Sequence, residues 1–160
     1  MWNKVGMVSL GCAKNQVDAE IMLGLLKGKG YEIVNESAQA DILLVNTCGF
    51  IGPAKEESIN AILEQGQYKK TGSCKAQIVT GCLGERYSGE LMKEIPEIDA
   101  VVGTGNYPRI IEILDEVKMG RHHAYLGHID DSLDDNLPRI ISTVGPVAYL
   151  KIAEGCDNHC

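Results

Sequence analysis

Residues 40–47, ADILLVNT, place apolar side chains at consecutive positions instead of alternate ones. A strand tolerates that pattern when both of its faces are buried, as in the interior of a parallel sheet covered by helices. VGMVSL (5–10), AQIVTG (76–81) and IDAVVG (98–103) read as further strands, with a shorter one at YEIV (31–34). Helical patterns separate them. From Asn15, a plausible N-cap, the residues Val17, Ile21, Met22, Leu25 and Leu26 fall on one face at 3.6-residue spacing, and Gly28 and Gly30 end the pattern. Pro53 suits the first turn of a second helix, with Glu56 and Glu57 near its positive end and Ile59, Ile62 and Leu63 as its buried face. A third helix near 85–95 turns Tyr87, Leu91 and Ile95 inward, and a fourth from about Tyr107 to Met119 carries Ile110, Ile111, Leu114 and Val117 on one stripe. Strand alternating with helix predicts an α/β fold: an open, mostly parallel sheet with flanking helices.

After Gly120 the periodicity dissolves. The stretch 121–146 mixes histidines, acids and two prolines, and reads as a linker holding at most a short ribbon. VAYLKIA (147–153) then reads as the first strand of a second domain. The expected organisation is one α/β domain over 1–121, a linker over 122–146, and the start of another domain over 147–160. The acidic run Asp130, Asp131, Asp134 and Asp135 reads as solvated linker. GTGNYP (103–108) lacks the lysine of a P-loop and the third glycine of a dinucleotide fingerprint, so it is taken as a loop.

Three of the six cysteines occupy equivalent places. Cys12, Cys48 and Cys82 each follow a predicted strand and precede a helix, and in an open α/β sheet those strand ends share the edge where ligands bind. Helix N-termini favour the thiolate, the form that ligates metal. The neighbouring Gly11, Gly49 and Gly81 allow close approach to a bulky inorganic group. Cys74 lies before a strand in a polar stretch and reads as incidental. Three thiolates without an obvious fourth ligand suit an iron–sulfur cluster with one open iron better than a closed zinc site. A Cys3His zinc site drawing on His122, His123 or His128 stays open at this point, although those histidines lie in a charged stretch that reads as solvated surface. A second pair, Cys156 and Cys160, follows the predicted strand at 147–153.

Composition narrows the function classes. The 160 residues carry a net charge of -7, which argues against this piece being a nucleic-acid clamp. No run approaches the roughly eighteen apolar residues of a membrane span, and the N-terminal stretch is a poor signal peptide. The expected compartment is the cytoplasm, where cysteines serve as buried residues, metal ligands or redox groups instead of a disulfide framework.

The stretches SLGCAKNQVDAE (9–20), NTCGF (46–50) followed by AKEESI (54–59), and VTGCL (79–83) together resemble the N-terminal domain of the radical-SAM methylthiotransferases. EGCDNHC (154–160) resembles the start of that family's CxxxCxxC signature. GCAKN and NTCGFIGPAKEESI look like the RimO type, which modifies an aspartate of the twelfth small-subunit ribosomal protein. The tRNA-modifying MiaB type, which usually reads GCQMN, is the alternative, and a non-catalytic metal-binding α/β module is a second.

The resemblance implies two [4Fe–4S] clusters and S-adenosyl-L-methionine. Cys12, Cys48 and Cys82 match the ligands of an auxiliary cluster. Cys156 and Cys160 match the first two ligands of the SAM cluster, whose third would fall at position 163, so 147–160 would open a truncated radical-SAM barrel. It further implies a methylthiotransferase that uses one SAM to methylate sulfur held at the auxiliary cluster and another to generate a substrate radical. Its partners would be a ribosomal-protein substrate and an electron donor, with no membrane and no direct nucleic-acid contact from this domain. A fragment with two of three SAM-cluster ligands is expected to be inactive alone.

Overall fold

The computed structural model describes residues 1–127, 136–153 and 158. Along the chain run β1 (Lys4–Ser9), α1 (Ala13–Gly28), β2 (Glu32–Val34), β3 (Ile42–Thr47), α2 (Gly52–Gly66) and a short α3 (Tyr68–Thr71). They are followed by β4 (Ala76–Gly81), α4 (Cys82–Glu94), β5 (Ala100–Val102), α5 (Ile110–Lys118) and β6 (His123–Tyr125). All six strands form one parallel sheet in the order β2-β1-β3-β4-β5-β6.

Both faces are covered, as the unalternating runs require. Leu44, Ile78 and Val102 pack under α1 and α5 against Met22, Leu26, Ile110, Ile113, Leu114 and Val117. Their chain neighbours Val45, Val79 and Val101 turn to the other face, against Ile62 of α2 and Leu83 and Leu91 of α4. α1 stops where its glycines predict: Gly30 takes φ +95°, and the Tyr31 amide donates back to the Leu26 carbonyl at 3.0 Å.

Several local expectations are corrected. Cys12, in extended conformation, occupies the N-cap position of α1, and Asn15 lies inside the first turn, buried. α2 turns Ser58, Ile62 and Gln65 to the sheet, an i, i+4, i+7 stripe that leaves Leu63 exposed. Ile113, absent from the predicted stripe of α5, is fully buried, whereas Ile111 is only half-buried. The short ribbon anticipated in the linker is a single strand, β6, parallel to β5, so the sheet runs past residue 121.

The expected strand at 147–153 is not formed. A strand needs a ladder partner, and this segment instead lies against α1, where Lys151 forms a buried ion pair with Asp18. Upstream of it, the Pro138 carbonyl crosses Gly24 so closely that a Cβ there would sit 2.4 Å from it. The Arg139 Nε donates to the Glu20 carboxylate at 2.7 Å, and the Ser142 amide and hydroxyl donate to the same group at 2.8 and 2.6 Å. Residues 138–153 therefore form a strap along the outer side of α1. The acidic run 130–135, His128, Cys156 and Cys160 lie outside the described residues. Among the described residues no helix is long and apolar enough to cross a membrane.

Candidate metal centre

The strand order reverses direction between β1 and β3: β2 lies on one side of β1, and everything later lies on the other. In open α/β sheets, ligands bind outside the carboxyl ends of the strands at such a switch point. Cys12 follows β1 and Cys48 follows β3, flanking that point, and Cys82 follows β4, the next strand over. The strand ends are matched in register, Ser9 with Asn46 and Thr47 with Gly81. With strands spaced about 4.8 Å apart, three adjacent ends span about 10 Å. Cys12 is exposed, and Cys48 and Cys82 are half-buried.

Each turn is shaped by contact with the next. Gly11 takes φ +95°, and a Cβ on it would stand 2.9 Å from Cys48 Cβ and 3.4 Å from Cys48 Sγ. Gly81 takes φ +91°, where a Cβ would stand 2.4 Å from the Thr47 carbonyl oxygen. No other residue type fits either position without moving a cysteine-bearing loop. The Ser58 hydroxyl accepts from the Cys48 amide at 3.0 Å and donates to the Cys48 carbonyl at 2.9 Å, tying this loop to α2. Below the turns, Asn46 donates to the Ser9 hydroxyl and to the Asn15 carbonyl, and accepts from the Thr80 hydroxyl at 3.0 Å. Thr47 donates to the Thr80 carbonyl at 2.6 Å. Asn46, Thr47 and Thr80 are buried, and this satisfied polar layer locks three strand ends in one arrangement.

Burial pushes the Cys82 thiol up; Cys48 and Cys12 push it further, and Lys14 opposes them. Thiolates that repel one another are stabilised by a cationic centre between them. Cys12 stands at the N-cap of α1 and Cys82 at the first residue of α4. Cys74 is different. It is buried with Ala40 and Leu43, its thiol donates to the Ala76 carbonyl at 3.3 Å, and burial pushes its pKa up to about 11.

The donor set fits a polynuclear group. Among the described residues no three of His, Cys, Asp and Glu converge to hold a single ion. His122 and His123 stand at the opposite edge: His123 pairs in register with Ala100, where β5 begins, and His122 Nδ1 is 3.4 Å from Asp99. Neither reaches the cysteines, so a Cys3His site built on them is ruled out. Three thiols spread over three adjacent strand ends match a group with several metals, one thiolate to each. Beside them lies a hollow of about 310 Å³ lined by Ser9, Leu10, Gly11, Cys12, Gln16 and Ser142. Ser142 reaches it from the strap, a contribution that nothing in the sequence pattern signals.

Residues 4–103 match the model of the Uncharacterized protein family UPF0004. The chain is 54% identical over 157 residues to the ribosomal protein uS12 methylthiotransferase RimO of Symbiobacterium thermophilum, covering 98% of this chain and 32% of that protein. It is 53% identical over 157 residues to the protein of the same name from Clostridioides difficile, covering 98% and 35%. The protein so named from Pelobacter propionicus is 54% identical over 159 residues, again covering 98% and 35%. The chain thus spans about a third of the length of the curated relatives it matches.

Proposed function

The chain belongs to the UPF0004 family, and from that membership we propose that it is the cluster-bearing N-terminal part of a radical-SAM methylthiotransferase acting on an aspartate of ribosomal protein uS12. The observation that carries the proposal is the meeting of Cys12, Cys48 and Cys82 at the ends of β1, β3 and β4, in a chain half identical to proteins of that name. In this reading the three cysteines hold an auxiliary [4Fe–4S] cluster, and Cys156 and Cys160 supply two of three ligands to a second cluster that binds SAM. The auxiliary cluster, when bound, supplies an iron with a free coordination position for sulfur.

The remaining work falls to this chain. Gly11 and Gly81 bring the three loops within contact of one another. The buried Asn46–Thr47–Thr80 layer holds the thiols in place before any ligand arrives, so little ordering remains to be done on binding. The hollow bounded by Gln16 and Ser142 leaves the Cys12 side open to a reaction partner.

The enzyme so described works in the cytoplasm, takes electrons from a donor protein or reductant, and has a protein as its substrate. The charge of -7 gives the 160-residue chain little attraction for RNA phosphates. We set the end of the auxiliary-cluster domain after Tyr125, because β6 completes the sheet, with the strap as the passage to a second domain. Mass spectrometry of uS12 from cells with and without the gene tests the substrate: one aspartate should carry a methylthio increment only when the gene is present. The increment on a tRNA adenosine, with the aspartate unmodified, would move the enzyme to the MiaB branch.

A further inference from the structure

We propose that Asn15 is the positioning residue that sets the three cysteine loops relative to one another; this rests on the assignment of Cys12, Cys48 and Cys82 as one site. Asn15 sits in the first turn of α1, where a helix ordinarily shows its polar side chains to water, yet it is 2% exposed. Its side chain does not cap its own helix. The Nδ2 group donates to the Thr47 carbonyl at 2.7 Å and to the Leu10 carbonyl at 3.3 Å. In the metal-free protein the Oδ1 atom accepts from the Cys82 thiol at 3.7 Å; once Cys82 ligates metal as thiolate, the bonds to Thr47 and Leu10 are the ties that remain. One amide thus touches the turn before Cys12, the residue before Cys48, and Cys82 itself.

Two neighbours support the placement. The Asn15 backbone carbonyl accepts from Asn46 Nδ2 at 2.7 Å, so the residue is held from both ends. A Cβ on Gly11 would stand 3.0 Å from Asn15 Nδ2, so that glycine leaves room for the amide as well as for Cys48. The ladder fixes the strands, but it does not extend into the turns that bear the thiols. Asn15 joins those turns across 32 positions of sequence to Thr47 and 67 to Cys82. The amide offers donors to the two carbonyls on one side and an acceptor to the thiol on the other. Aspartate has the shape without the donors, and leucine has the bulk without either.

The experiment uses Asn15→Asp and Asn15→Leu in the 160-residue chain, with two readouts. Hydrogen exchange on the metal-free protein, with circular dichroism to confirm folding, reports the loops directly. Exchange should accelerate together around residues 11–12, 48–49 and 82–83, by roughly tenfold or more, the scale of one buried hydrogen bond left unmade. Acceleration confined to α1 would reduce Asn15 to a structural residue of its own helix and overturn the proposal. After anaerobic reconstitution, both variants should release iron to a chelator faster than the parent, with an altered electron paramagnetic resonance spectrum; parent-like retention and spectrum would also overturn it. A parent that takes up no iron would contradict the cluster assignment, while the exchange result still decides the role of Asn15.

Discussion

At the scale of single residues, the site depends on positions where a side chain is forbidden. Gly81→Ala would force a non-glycine residue to φ +91° and drive its Cβ toward the Thr47 carbonyl at 2.4 Å. Urea unfolding should show a loss of about 2 kcal/mol or more. Gly89→Ala is the matched control, since its Cβ would meet nothing within 4 Å on an exposed turn of α4; it should gain roughly 0.5–1 kcal/mol from helix propensity. The cysteines should separate by reactivity in the same way. Cys74, buried and with its pKa pushed up to about 11, should be the last thiol of the folded domain to react with iodoacetamide at pH 8, and the exposed Cys12 should precede it. Because the folded pKa of Cys74 lies above its ordinary value of 9.0, the stability it contributes is complete below about pH 9 and is lost as pH rises through 11. The cysteine positions were legible in the sequence because strand ends and helix starts are. Asn15 was legible only as a cap, since nothing local says that its amide is consumed by carbonyls of other loops.

Among the elements, the strap along α1 is the one that sequence patterns misread. VAYLKIA has the composition of a strand, but composition does not supply the neighbouring edge that a strand requires. The partners of Asp18 and Glu20, Lys151 and Arg139, stand more than a hundred residues away, so no local pattern announces either pair. β6 was hidden for the opposite reason: three residues are too few to show a period, and only the register with β5 and the bond from the Gly103 amide to the Tyr125 carbonyl define it. Burial alone would push the Glu20 carboxyl up, but hydrogen bonds from Ser142 and Arg139, with the charge of Arg139, outweigh it and hold the group below the ordinary carboxylate range. A depressed folded pKa means that the strap's anchorage is complete above the ordinary value of 4.5 and weakens as pH falls through the lower, folded one. Glu20→Gln should reproduce that weakening at neutral pH. Hydrogen exchange at 139–142 should rise several-fold, consistent with about 1–3 kcal/mol for breaking buried polar bonds, while β3 and β4 stay protected.

For the whole molecule, alternating runs and helices were enough to predict a covered parallel sheet, because burying both faces leaves a pattern in every strand. The order β2-β1-β3-β4-β5-β6 was not written locally; it emerges from which runs pair, and it alone places Cys12 and Cys48 on either side of the switch point. The sheet's extent is testable by truncation. A chain ending at 127 should melt above one ending at 121, by an amount worth roughly 1 kcal/mol, less than the figure for a fully buried large side chain because Tyr125 is partly buried. Burial, with the bond its hydroxyl donates to Glu116 at 2.8 Å, pushes that residue's pKa up to about 12. The central claim, that one sheet edge holds one cluster, is tested most directly by counting metal. In a background with Cys156 and Cys160 replaced by Ala, the anaerobically reconstituted chain should bind roughly four irons with matching sulfide. Cys12→Ala, Cys48→Ala and Cys82→Ala should each lose most of that iron, and Cys74→Ala should keep it. Equal loss from Cys74→Ala, or a parent that binds a single zinc in place of iron and sulfide, would contradict the account.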